Sequence, residues 1–319
     1  MSNNSLNNNT PDSQTLLNQL VLEFMQEQNR KRKWRWVTRI LIILVLLWLA
    51  YQVFDFSNDD KISGTKAHIG LIDVKGTIDD SQDGSAENFA KSLSSAYKKT
   101  GLKAVIIRIN SPGGSPVQAD DMYNSLAYYR NKHPDIKIYA VCVDICASAA
   151  YYIAAGANEI YANPSSMVGS IGVIYNGFGF VDTLQKLGVT RRLKTAGLNK
   201  GFLDPFLPTV PQQEEYLQVM LNNVHQQFIS KVKAGRGDRL KVDDLTFSGL
   251  FWTGGEAKER GLVDGFASSN QLAREIIKID TIVNYTYKES VLDRVSRRIG
   301  TAIADHLPTA MGLKPGIGA

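Results

Sequence analysis

Hydrophobic and polar positions along the chain follow two alternating rhythms, one of strands and one of helices. AHIGLIDVKG, from Ala67, and LKAVIIRIN, from Leu102, are apolar runs of strand length. The second is almost continuous, as in a strand covered on both faces of a parallel sheet. Between them SAENFAKSLSSAYKKT sets Phe89, Leu93 and Tyr97 on one helical face. VQADDMYNSLAYYRNKH then predicts a helix, IKIYAVCV a strand and ASAAYYIAAGA a helix. NEIYANP and SIGVIY predict short strands. FGFVDTLQKLG reads as a helix, VTRRLKT as a strand and GLNKGFLDPFLP as a loop broken by Gly and Pro. PQQEEYLQVMLNNVHQQFISKVKAGR is a long helix; TGGEAKERGLVDGF and NQLAREIIKI give two short ones. The alternation predicts an α/β fold with a mainly parallel sheet and right-handed crossovers. In such sheets binding sites lie beyond the carboxyl ends of the strands. Two loops, NSPGGS (Asn110–Ser115) and DICAS (Asp144–Ser148), each follow a strand, so both open on that edge.

The start of the chain follows another pattern. Residues 1–36 are Asn/Ser/Gln-rich and end in the basic run RKRKWRW, with LLNQLVLEFMQEQ as a short amphipathic helix. Residues 37–56 are predominantly apolar, with Trp34 and Trp36 at the interface position, and read as a transmembrane anchor. No small-x-small cleavage site follows Leu49, which favours an uncleaved anchor over a signal peptide. The positive flank places the first residues in the cytoplasm and the rest outside it. Residues 57–66 are a polar linker, 67–279 the main domain, and 280–319 a helical segment (ESVLDRVSRRIGTAIADHL) and tail.

Charge changes the picture little. The net charge of +5 suggests a polyanion partner, but six basic against three acidic residues before Asp55 supply +3 of it. The remainder is close to neutral, so nucleic acid is not an expected partner. The two cysteines, Cys142 on a strand and Cys146 on the following turn, read as small buried residues rather than a disulfide or zinc pair.

Ser148 heads the run SAAYYIAA. A serine between strand and helix is either an N-cap or a nucleophile at the mouth of a sheet. NSPGGS turns sharply and bares backbone N–H groups, which suit an oxyanion or a phosphate, or it is simply a tight turn. The Lys-Ser/Thr of a P-loop and GxGxxG are absent. Of the histidines, His68, His133, His225 and His306, none is set up for a Ser–His–Asp triad. A lysine with a depressed pKa can replace histidine. Lys194 and Lys200 are candidates, and Lys200, between apolar residues and glycines, is preferred.

Taken in order, NSPGGS, DICASAAYYIA, PSSMVGSIGVIY, KTAGLNKGF and TGGEAKERGLVD, behind an anchor, resemble the signal peptide peptidase A (protease IV) family in its short single-repeat form. The resemblance covers about Ala67 to Ile277. It implies a ClpP/crotonase-like α/β fold preceded by one transmembrane helix. It implies a membrane-anchored serine endopeptidase with Ser148 as nucleophile and Lys200 as general base. Ser170 would orient the lysine, and Gly113 and Gly114 would form the oxyanion loop. No cofactor or metal is implied. The substrates would be signal-peptide remnants and other membrane-associated peptides, and the chain would form a homo-oligomer in the bacterial inner membrane. One departure stands out: Ala149 and Ala150 follow the nucleophile where the family commonly has glycine. It keeps open a second reading, an inactive scaffold of the same fold. An acyl-CoA enzyme of crotonase type is a third.

Overall fold

The computed structural model describes residues 25, 30, 32–48, 66–80 and 84–288. The chain divides into two units, residues 1–64 and 65–319. In the first, residues 32–48 form a helix, α1, with Trp34, Trp36 and Trp48 exposed. Among the described residues no helix is long and apolar enough to cross a membrane. The expected span 37–56 is described only as far as residue 48. Most of the expected N-terminal amphipathic helix, the linker up to residue 65 and the helix from Glu289 lie outside the described residues.

The second unit is built on an eight-stranded sheet. Its elements are β1 (His68–Lys75), α2 (Ala86–Tyr97), β2 (Leu102–Ser111), α3 (Pro116–Lys132), β3 (Lys137–Ala147), α4 (Ala149–Ala155), β4 (Glu159–Ala162) and β5 (Met167–Gly169). They continue with α5 (Val181–Lys186), α6 (Pro211–Arg236), β6 (Phe251–Thr253), α7 (Gly254–Glu259), β7 (Gly265–Phe266), α8 (Ser269–Gln271) and β8 (Ile282–Asn284). The sheet runs β6-β5-β3-β2-β1-β8, with β4 beside β3 and β7 beside β4. All pairings are parallel except β5 with β6.

The period-two pattern of β2 explains its place at the centre. Val105, Ile107 and Ile109 join the core under α2, α3 and α4, while Ala104 and Ile106 join the opposite core with Leu71, Tyr139 and Leu272. Each fully buried Ile or Leu side chain contributes about 1.5–3 kcal/mol of transfer free energy. All seven residues of α4 are buried, the expected state of a helix apolar all round. Phe89 and Leu93 of α2 are buried as their spacing predicts.

Beyond the short strands β6, β7 and β8, which the sequence pattern does not predict, three expectations are not met. SIGVIY, residues 170–175, is not a strand; the strand ends one residue earlier, at Gly169. Gly169 and Ser170 have φ of 112° and 52°, which end the extended backbone. VTRRLKT, residues 189–195, also forms no strand, and its Val189 N–H bonds back to Leu184 O. Cys146 lies within β3 rather than on a turn, because that strand runs on through a bulge. Both cysteines are buried and unbridged.

Candidate active site

β3 carries the candidate nucleophile to the sheet edge. Its register against β2 steps from Ile109↔Cys142 to Ser111↔Cys146, so Asn110 alone stands opposite Val143, Asp144 and Ile145. Past the bulge, β3 leaves β4 and takes β5 as partner, with Ala147 opposite Gly169. The next residue on each strand is a serine, Ser148 and Ser170. Both have positive φ, 55° and 52°. Such a backbone costs a non-glycine residue about 1–3 kcal/mol, so the surrounding structure must impose it.

Ser148 occupies the N-cap position of α4, yet its hydroxyl makes no capping bond. The N-cap alternative is therefore not realised. Its N–H donates to Gly169 O at 2.8 Å and its carbonyl accepts from Tyr152 N–H at 3.0 Å. The backbone is fixed on both sides, the residue is partly exposed, and among the described residues the hydroxyl makes no hydrogen bond. Ala149 and Ala150 bury their methyl groups in the core, so they do not narrow the space in front of Ser148.

The NSPGGS loop is pressed against Ser148. A Cβ on Gly113 would lie 2.7 Å from Ser148 Cβ and 3.0 Å from Ala149 N. A Cβ on Gly114 would lie 2.1 Å from Ile78 O. Only glycine permits either approach, and both have positive φ, 108° and 150°. Ile78 clamps the loop from outside: its N–H donates to Gly113 O at 2.9 Å, and its carbonyl accepts from Ser115 N–H at 2.8 Å. Buried Ser111 accepts the Gly113 N–H on its Oγ at 3.1 Å. Ser115 ends the loop by capping α3 through Gln118 N–H. The N–H groups of Gly114 and Ala149 have no acceptor among the described residues. Both are uncommitted backbone donors close to Ser148 in sequence or in the adjoining loop.

Ser170 stands beside Ser148, its N–H bonded to Leu250 O at 2.8 Å. Lys200 is placed differently. It lies in turns between α5 and α6, its N–H bonded to Gly197 O at 3.1 Å, and its side chain is exposed. Among the described residues no hydrogen bond or ion pair joins Lys200 to Ser148 or Ser170, and Lys194 is likewise exposed. The apolar surroundings expected for Lys200 are not present within one chain: neighbouring Leu198 is 96% exposed. A cavity of about 400 Å³ lies in this arm, lined by Leu193, Leu198, Leu203, Leu207 and Val210 among others, and Ser148 is not part of it. The described histidines are engaged elsewhere. His68 bonds Tyr285 Oη, His133 stacks on Tyr97, and His225 bonds Ile171 O.

Ser148, Gly113, Gly114 and Ser170 are legible in the sequence, whereas the roles of Ile78, Ser111, Asn110 and the Ala149 N–H are not. Asn110 and Ser111 stand inside NSPGGS; Ile78 carries no signal, since a single bridging residue has no periodicity.

The model of Peptidase family S49 matches residues 130–282, which include Ser148, Ser170 and Lys200. The Clp protease model matches residues 69–169, which include Gly113, Gly114 and Ser148. A putative protease of Synechocystis sp. is 33% identical over 63% of this chain and 70% of its own length. The chain belongs to peptidase family S49. A putative signal peptide peptidase SppA of Enterococcus faecium is 30% identical over 69% of the chain and 64% of its own length. A protein of Brucella abortus named as a Na(+)/H(+) antiporter NhaA is 42% identical over 57% of the chain. The S49 chain spans only 25% of that relative's length. The ClpP-like sheet with flanking helices accommodates both family matches: the Clp protease model spans β1 to β5 and the S49 model runs from the last turn of α3 to the start of β8.

Proposed function

We propose that this chain is a membrane-anchored serine endopeptidase in which Ser148 and Lys200 form the catalytic dyad. The observation that carries the reading is the hydroxyl of Ser148, held at positive φ on the carboxyl edge of the sheet against Gly113 and Gly114 without capping its helix. Lys200 Nζ takes the proton of Ser148 Oγ, which attacks the scissile carbonyl. The tetrahedral oxyanion sits in the loop of Gly113 and Gly114, with Gly114 N–H and Ala149 N–H as donors. The proton passes from Lys200 to the leaving amine, and the acyl-enzyme is hydrolysed by water that Lys200 deprotonates. Ser170, next to Ser148, orients the lysine. The exposure of Lys200 within one chain supports a dyad completed between subunits of a homo-oligomer, the lysine of one chain serving the serine of its neighbour.

Residues 37–56 are the anchor, with the N-terminus in the cytoplasm and the catalytic domain outside the inner membrane. The substrates are then peptides in or at the membrane, signal-peptide remnants among them. The test is hydrolysis of an apolar fluorogenic peptide by the full chain beside Ser148→Ala and Lys200→Ala. Turnover by wild type, lost in both folded variants, is the expected result. Equal turnover by Lys200→Ala moves the base to another group, Lys194 first. An assembled wild type that cuts nothing favours the inactive-scaffold reading, and coenzyme A binding the crotonase one.

A further inference from the structure

The bulge in β3 has a keeper. Asn110 is the one residue of β2 opposite the three bulged residues, and its carboxamide is engaged at both ends. Its Oδ1 accepts from Ile145 N–H at 3.1 Å, and its Nδ2 donates to Asp144 Oδ2 at 2.7 Å. Its backbone carbonyl accepts from Gly76 N–H at 3.1 Å, which ties the same residue to the end of β1. A bulge takes backbone groups out of the ladder, and Asn110 gives one of them, the Ile145 N–H, a replacement acceptor. The carboxamide accepts from the N–H with one end and donates to the carboxylate with the other; an ionised Asp cannot donate and Leu can do neither.

The bulge lies immediately before the nucleophile. From Ile145 the chain passes through Cys146, paired with Ser111, and Ala147, paired with Gly169, directly to Ser148. These links are stiff, so a shift of the bulge is passed on to Ser148. Asn110 also begins the loop whose Gly113 touches Ser148. One side chain therefore fixes the spacing between the nucleophile's strand and the oxyanion loop. We propose that Asn110 is a positioning residue for Ser148, acting through Asp144 and Ile145. The proposal rests on the reading of Ser148 as nucleophile.

An exchange of donor and acceptor tests it in the full chain. Asn110→Asp keeps the shape and the acceptor but sets a second carboxylate against Asp144. Adding Asp144→Asn restores the pair with donor and acceptor reversed. The readouts are kcat and KM on an apolar fluorogenic peptide, the rate of Ser148 labelling by a fluorophosphonate, and Tm. Small displacements of a reacting group cost up to about 100-fold, so N110D is expected to lower kcat and labelling by about tenfold or more with little change in KM. The double variant is expected to return kcat to within about threefold of wild type, the coupling of two groups in contact. N110D turning over like wild type overturns the proposal. So does a double variant with wild-type Tm that remains as slow as N110D. If N110D does not fold, Asp144→Ala, at an exposed position, removes the acceptor alone; an unchanged kcat there also overturns it. A wild-type chain that neither cuts nor labels brings down the peptidase reading and this one together, whereas a labelled wild type with an indifferent Asn110 brings down only this one.

Discussion

A Cβ placed on Gly113 would stand 2.7 Å from the Cβ of Ser148. The two residues belong to different segments, so this approach measures how closely the NSPGGS loop, the proposed oxyanion loop, is set against Ser148, the proposed nucleophile. Gly113→Ala must therefore push the loop away from Ser148 or distort a backbone already at positive φ. Overpacking of this kind costs about 1–3 kcal/mol of stability. The expected loss in peptide turnover is larger, about 100-fold or more, since removing one oxyanion donor alone costs that much. Gly114→Ala meets Ile78 O instead and should break the Ile78 clamp as well as activity. Turnover and Tm measured on both variants check this; a Gly113→Ala enzyme with near-normal kcat would falsify the assignment of the loop.

Cys146 lies two residues before Ser148, yet it is not a rival nucleophile. It is fully buried, and burial, followed by its hydrogen bond with Cys142, pushes its thiol well above the ordinary range. A native chain should resist maleimide at neutral pH and react at both cysteines once unfolded. Cys146→Ala should keep most of its peptidase activity. Rapid inactivation of the native chain by a thiol reagent is the outcome that contradicts this.

Two carboxylates give stability an acid-side dependence. Burial raises the Asp264 pKa, but hydrogen bonds from Arg236 and Ile160 N–H and the charges of Arg236 and Arg239 outweigh it and hold the group below its ordinary value. Asp73 is likewise raised by burial and lowered further by Arg108 and Lys75. A carboxyl depressed in the folded state stabilises fully above its unfolded pKa, about 3.9, and that stabilisation fades as pH falls through the folded value. The gap in urea midpoint between wild type and Asp73→Asn should therefore be widest near neutrality and narrow as pH falls below about 4. A gap constant from neutral to acid pH rules out this linkage.

Arg236 is 1% exposed and holds Asp264 through two nitrogens and Gly261 O through the third. Arg236→Met keeps much of the volume but takes two hydrogen bonds from Asp264, leaving it Ile160 N–H and the partly exposed Arg239, and removes the donor to Gly261 O. Breaking a buried pair from one side costs about 3–5 kcal/mol, far more than the intact pair contributes over an apolar replacement. Urea unfolding should show a loss in that range, and one under about 1 kcal/mol would show the site to be wet.

The order β1-α2-β2-α3-β3 was legible because each element has an apolar face with its own period, and two loops after strands pointed to one edge. The same reasoning failed at SIGVIY. What ends β5 is tertiary: Ser170 N–H finds Leu250 O, some eighty residues away, and the backbone turns to positive φ. The bulge in β3 was hidden for a similar reason, since it depends on a side chain of another strand, Asn110. Lys200 has apolar neighbours in sequence, yet in a single chain Lys200 itself is exposed and its neighbour Leu198 faces outward.

That last difference leads to the sharpest test of assembly. Ser148 is anchored in the rigid sheet, while Lys200 rides on an arm whose Ile174, Phe178, Leu187 and Leu198 are exposed, with Leu198 at 96% and Ile174 at 87%. Apolar surface of this kind on a chain with a sufficient core calls for a partner. If the partner is a second copy, the lysine of one chain and the serine of the next form the site, and each site draws on two chains. Ser148→Ala and Lys200→Ala chains should each be inactive alone. Mixed at equal amounts and assembled together, they should rebuild sites wherever an intact serine meets an intact lysine, about one site in four for random assembly around a closed ring. Peptide turnover near a quarter of wild type is the expected reading. Turnover that stays at the level of the single variants, in oligomers shown to contain both chains, places the dyad within one chain and requires the arm to fold back onto its own Ser148.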